Sequence, residues 1–225
     1  ISLRRKDNFI ILMISPELNL KNFSSLIPGA NSRLIMERYL LKLPPGSRIL
    51  EIGVGNGEIC NLLAEAGFEV TGLDYSAHCL EKLSPKVKKI MADIERGEID
   101  LPEQHFDAIL MFEVLEHLTE PVETLKKIKS FLKPAGFIMA STPNINWFPF
   151  RIKFLFGKCP EDFHTTNHVQ FWNLAFFRKV IEAGGFTIQK HFTSLAFPNP
   201  LYPFIRAWKR GNVEILGKYL FIATE

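Results

Sequence analysis

Hydrophobic positions along this chain follow two periods in turn. Five short apolar runs, bounded by glycine, asparagine or charge, stand at 48–52 (RILEI), 68–74 (FEVTGLD), 87–91 (VKKIM), 106–112 (FDAILMF) and 136–142 (GFIMAST). Their length and their content of Val, Ile and Phe predict strands. Between them, EICNLLAEAG (58–67), SAHCLEKL (76–83) and PVETLKKIKSFL (121–132) carry apolar residues at helical spacing. Gly67 closes the first of these helices, Ser76 caps the second and Pro121 opens the third. A further helix is predicted at 31–42, stopped by Pro44, Pro45 and Gly46, and another at 173–183, ended by Gly184 and Gly185. Strands alternating with helices predict an α/β fold whose mostly parallel sheet has helices on both faces. Two later strands, FTIQKHF and LGKYLFIATE, flank the proline-rich SLAFPNPLYPF and the segment IRAWKRGNVEI. The stretch NINWFPFRIKFLFGK after Pro143 has no clean period, and a lid is expected over about 144–171.

Composition narrows the classes. The 225 residues are 47% hydrophobic and 23% charged, which fits one folded domain, 31–225, after an N-terminal arm, 1–30. Net charge is +3, a surplus that Arg4, Arg5 and Lys6 alone account for, so nothing demands nucleic acid. Three cysteines without CxxC spacing argue against a disulfide framework or a structural zinc. FIILMI (9–14) is too short for a membrane span, and a cytoplasmic protein is expected. Because the chain opens on Ile1, it is expected to be a fragment or to lack its initiator, with an arm of no functional weight.

The candidate chemistry lies at the strand ends. In a doubly wound sheet the glycine turn after the first strand marks the ligand crevice. Here it reads GVGNG, with Gly53, Gly55 and Gly57 spaced G-x-G-x-G, and Glu58 where a dinucleotide loop would place its third glycine. A glutamate there opposes a pyrophosphate at the helix N-terminus, which weakens a nicotinamide reading. EIGVGNG between strand and helix resembles motif I of the class I S-adenosylmethionine-dependent methyltransferases, of the type 11 and type 23 domain kind. The resemblance covers about 48–225 and implies a Rossmann-like sheet of seven strands, the last antiparallel. It implies S-adenosylmethionine as cofactor, over a loop whose three glycines let backbone approach closely. On the same ground Glu51 sits near the methionine portion, Asp74 accepts the ribose hydroxyls beside Tyr75, and Asp93 receives the adenine amino group with Ile94 against the ring. Glycine turns and lone aspartates are otherwise common turn residues.

FEVLEHL (112–118) follows the fourth strand. Methyl transfer needs an aligned acceptor and, where required, a base. Glu113 is expected beside the cofactor, and His117 is the general-base candidate because imidazole ordinarily titrates near neutral pH. The E-x-x-E-H spacing resembles the ubiquinone-biosynthesis O-methyltransferases and the small-RNA 3′-terminal 2′-O-methyltransferases, which hold a divalent ion with these residues. Glu113, Glu116, His117 and His168 are therefore metal candidates, although no metal is favoured, since metal-free relatives share the motif. A purely structural role is the competing reading.

The lid interleaves Trp147, Phe148, Phe150, Phe154 and Phe156 with Arg151, Lys153 and Lys158. Aromatics closing a pocket is the favoured reading, a peripheral membrane contact or lipid-linked substrate the second, and stacking on nucleic-acid bases the last. The expected activity is methyl transfer to a hydroxyl of a small, sugar-linked or lipid-linked acceptor. The alternatives are a metal-assisted RNA 2′-O-methyltransferase and a non-catalytic cofactor-binding module. Oligomeric state is left open.

Overall fold

The computed structural model describes residues 39–159, 167–195 and 217–224. The arm 1–30, nearly all of the helix expected at 31–42, His164 and the proline-rich connection lie outside these residues. Strands β1 (Arg48–Ile52), β2 (Glu69–Asp74), β3 (Lys88–Met91), β4 (Phe106–Phe112) and β5 (Leu132–Pro143) pair in parallel in the order 3-2-1-4-5. β7 (Gly217–Thr224) runs antiparallel to β5, and β6 (Ile188–Leu195) antiparallel to β7. The helices are α1 (Glu58–Glu65), α2 (Ala77–Glu81), α3 (Pro121–Lys129), α4 (Phe148–Leu155) and α5 (Leu174–Ala183).

The period-two pattern of each strand divides the interior into two cores. Leu50, Ile52, Leu73, Ile109 and Met111 point to one face and are covered by Leu125 and Ile128 of α3 and Phe177 and Ile181 of α5. Ile49, Val70, Ala108, Leu110 and Met139 point to the other and meet Cys60 and Leu63 of α1 and Leu80 of α2. A strand buried on both faces must be apolar throughout, which is why these runs lack a polar stripe. The strand order turns back between β1 and β4, so the carboxyl ends of β1, β2 and β4 open onto one crevice.

Caps fall where the side chains predict them. Ser76 Oγ accepts from Cys79 N at the start of α2, Asn173 Oδ1 accepts from Phe176 N at the start of α5, and Pro121 opens α3. Two expectations need correction. β5 starts four residues earlier than the expected 136, because Leu132 pairs with Phe106 before a register shift, and the bulge lets Pro134 sit in a strand. The lid, expected to be aperiodic, contains α4. Phe150 turns inward while Phe148, Ile152 and Leu155 face solvent, so apolar residues lie on both sides of the helix and blur its period in the sequence.

Candidate functional site

The crevice floor is the turn after β1. Gly53, Gly55 and Gly57 all have positive φ, at 76°, 51° and 75°. At Gly53 a Cβ would stand 2.6 Å from Val114 Cγ2, and at Gly57 one would stand 2.9 Å from Leu83 Cδ2. Gly53 is thus required by packing as well as by backbone sign, at Gly57 the neighbour is the tip of a flexible leucine and backbone sign is the firmer requirement, and of the three only Gly55 faces open space. Gly53→Ala should lower stability by about 2 kcal/mol, combining left-handed strain with the clash on Val114. Gly55→Ala, with strain alone, should cost about half as much. Thermal melts of the two variants compare them directly, and equal losses would discount the Val114 contact.

Glu51 lies one residue before the end of β1 and is buried. Its carboxyl accepts from Cys60 at both backbone N–H and thiol, so it serves as a cap for α1, whose N-cap Gly57 has no side chain to offer. Oε2 has no partner among the described residues. Burial pushes the carboxyl from 4.5 up to about 7; the Cys60 hydrogen bonds act against this, and the charge of Asp74 adds to it. The Cys60 thiol is driven far up by its own burial and by Glu51, so it remains a donor.

Asp74 ends β2 and is buried; its Oδ1 accepts from Ser76 N at 2.8 Å, and no described residue donates to Oδ2. Tyr75 beside it is exposed. Asp93, exposed after β3, uses Oδ1 to accept from Glu95 N and Arg96 N, an Asx turn. Ile94 turns into the core rather than standing open on the rim. The loop is tied to α3 by Lys127 Nζ, which donates to Ile94 O and Gly97 O.

Beyond β4, Glu113 has φ of 56°, a left-handed value unusual for glutamate and a mark of local strain. Its N–H donates to Ser141 O, and Ser141 Oγ donates to Glu113 Oε1 at 2.6 Å. The 3-10 turn Leu115–His117 then buries Glu116. Segment 167–172 lies along that turn, with Val169 N and Gln170 N donating to Glu116 O. His117 Nδ1 lies 3.0 Å from Asn167 O, so Nδ1 donates, and in the neutral ring the lone pair is on Nε2. His168 Nε2 is 3.9 Å from Glu116 Oε1, and the two imidazole rings stand edge to face at 4.7 Å. Ligand atoms of Glu116, His117 and His168 lie within 4.8 Å of one another. Both Glu116 oxygens are buried, and neither makes a hydrogen bond of good geometry among the described residues, Thr142 and the backbone acting on this carboxyl only weakly. Burial first, and then the charge of Glu113, holds this carboxyl well above the ordinary range.

Most of the expected residues therefore gather in two groups, Glu51, Asp74 and the glycine loop in one, and Glu113, Glu116, His117 and His168 in the other, while Tyr75 stands exposed beside Asp74 and Asp93 and Ile94 belong to the loop after β3. Sequence reasoning missed Cys60 and Ser141, the partners of Glu51 and Glu113. Ser141 could have been found as a polar residue ending the otherwise apolar run FIMA of β5. Cys60 carries no sequence signal apart from its place in the first turn of α1.

Residues 25–191 match the methyltransferase domain family. The chain belongs to that family. Among curated relatives, a ubiquinone biosynthesis O-methyltransferase of Bradyrhizobium diazoefficiens is 35% identical over 112 residues, 48% of this chain and 44% of its own. One of the same name from Proteus mirabilis is 30% identical over 135 residues, 54% of each chain. The chain spans about half the length of the curated relatives it matches. A SAM-dependent methyltransferase of Archaeoglobus fulgidus superposes with a TM-score of 0.63 at 20% identity, covering 85% of this chain and 91% of that one, and so shares the fold. The cofactor this methyltransferase fold implies is S-adenosylmethionine, and the residues present fit it. The loop presents bare backbone at Gly55, Asp74 offers an uncommitted carboxylate oxygen, and the orphaned Glu51 Oε2 awaits a donor. No described helix is long and apolar enough to cross a membrane.

Proposed function

We propose that this chain transfers a methyl group from S-adenosylmethionine to a hydroxyl of a small, sugar-linked or lipid-linked acceptor. The observation that carries the reading is the row of acidic groups at the carboxyl ends of neighbouring strands, Asp74 ending β2, Glu51 near the end of β1 and Glu113 just past β4, around the glycine turn. The names of the Bradyrhizobium and Proteus relatives support O-methylation. Bound there, the cofactor supplies an electrophilic methyl on a sulfonium.

Asp74 would hold the ribose hydroxyls with Tyr75 beside it, Asp93 would take the adenine amino group with Ile94 next to it, and Glu51 would meet the amino end of the methionine portion. Ser141 fixes the Glu113 carboxylate, which lines the acceptor side. His117, its tautomer set by Asn167 O, takes the acceptor proton at Nε2. Labelled methyl from the cofactor should appear on a hydroxyl acceptor. His117→Ala should lower turnover about a hundredfold and leave affinity for S-adenosylhomocysteine within about twofold. Unchanged turnover would remove the base role, and cofactor binding without any product would make the chain a binding module.

One observation favours a second reading, in which the reaction is metal-assisted. A buried carboxylate whose two oxygens make no hydrogen bond of good geometry among the described residues, beside His117 and His168, is a donor set suited to magnesium, manganese or zinc. Titrating EDTA-treated protein with each ion by calorimetry should show no stoichiometric binding on the metal-free reading. One equivalent bound, lost in Glu116→Gln and in His168→Ala, would replace that reading with the metal-assisted one.

A further inference from the structure

We infer that α4 is a docking face for an anionic lipid bilayer. In an ordinary surface helix the apolar stripe faces the core; in α4 it faces out. Phe148 is 48% exposed, Ile152 40%, Leu155 77% and, at the helix end, Phe156 72%. Positions 148, 152, 155 and 156 are spaced i, i+4, i+7 and i+8, so they form one continuous ridge. On the opposite side Phe150 is buried and stacks edge to face with Trp147 at the N-cap, while Phe154, one turn further on, is 43% exposed.

Charge identifies the occupant. Arg151, Lys153 and Lys158 border the ridge, and the sequence has no acidic residue between Glu123 and Glu161. An apolar ridge flanked in the same segment by Arg151, Lys153 and Lys158 matches an interface of acyl chains below anionic headgroups. A second copy of this chain fits poorly, because a two-fold contact through this face would set the three cations against their own copies. The helix also adjoins the site, since Trp147 N, at its N-cap, donates to Asn144 O immediately after β5. Docking here brings the crevice to the membrane surface. The inference stands on this surface alone and holds whether or not the acceptor is lipid-linked.

The test is vesicle flotation with full-length protein. Vesicles of phosphatidylcholine with 30 mol % phosphatidylglycerol should carry the protein, pure phosphatidylcholine should carry far less, and about 0.5 M NaCl should release it. Arg151→Gln with Lys158→Gln should lower partitioning roughly thirtyfold, about fivefold per cation. Leu155→Glu with Phe156→Glu should lower it at least as far. Both double variants should keep wild-type affinity for S-adenosylhomocysteine, which shows that they fold. No flotation of wild-type protein on anionic vesicles would overturn the inference, as would variants that float equally well. A wild-type dimer that Leu155→Glu with Phe156→Glu converts to a monomer in the absence of lipid would assign the face to self-association and overturn it too. The salt and lipid dependence of wild-type protein decides the matter even if a variant misfolds.

Discussion

Asp74→Ala should weaken binding of S-adenosylhomocysteine about a thousandfold, measured by calorimetry near pH 7.5. A carboxylate accepting two hydroxyls makes two charge-assisted hydrogen bonds, each worth about 1.5–3 kcal/mol, and truncation to alanine loses both. Asp74 is buried at the end of β2, so its geometry is set before any ligand arrives, and little ordering cost offsets the gain. The same side chain holds its own turn through Ser76 N, so alanine could act by loosening the loop. Asp74→Asn separates the two effects, because its oxygen can still accept from Ser76 N while its charge is gone. The asparagine variant should fall between, about thirtyfold weaker than wild type. Wild-type affinity in Asp74→Ala would end the ribose assignment. A second readout follows from Glu51, since the Asp74 charge helps hold that carboxyl up. In Asp74→Ala, Glu51 should titrate lower than in the wild type.

The fold was legible because the central strands are buried on both faces and so read as short, mainly apolar runs, with glycine or an acid at or near their ends. Glu51, Asp74 and Asp93 could be picked out for the same reason, as polar residues at the close of strands. What the pattern hid depends on contacts far apart in sequence. Cys60 reaches Glu51 only because α1 folds back over β1, and Ser141 reaches Glu113 only because β4 and β5 are neighbours. The lid helix was hidden for a different physical reason. Helical periodicity is visible when burial selects one face, and α4 leaves its largest apolar residues in solvent. Likewise, the need for glycine at 53 and 57 could be read as room for a ligand, yet it is Val114 and Leu83 that occupy the space.

Glu51→Gln should make the protein more stable than the wild type above pH 7, by about 3 kcal/mol, and should leave stability unchanged near pH 4. The sign follows from the folded carboxyl titrating at about 7 against an ordinary 4.5. Below 4.5 the group is protonated in both states and contributes nothing to the difference. Between 4.5 and 7 the unfolded chain ionises while the folded one keeps its proton, so folding is progressively disfavoured, and above 7 the full cost of a buried anion remains. Other carboxylates act in the opposite sense, Asp107 being held low by Lys133 and the Arg48 amide, so the comparison must be variant against wild type at each pH. Urea titrations at pH 4, 5, 6, 7 and 8 give that difference, and parallel curves would show that Glu51 ionises normally. Glutamine keeps an oxygen for the Cys60 N–H but cannot become an anion. An acid that weakens the fold at neutral pH is retained where its charge is used, and the cationic amino end of the cofactor is the group that would use it. Binding of S-adenosylhomocysteine near pH 6.5 should therefore expel close to one proton from the wild type and none from Glu51→Gln, measured by calorimetry in buffers of different ionisation heat. Equal proton release from the two would place the cofactor's ammonium elsewhere and leave Glu51 as the cap of α1 alone.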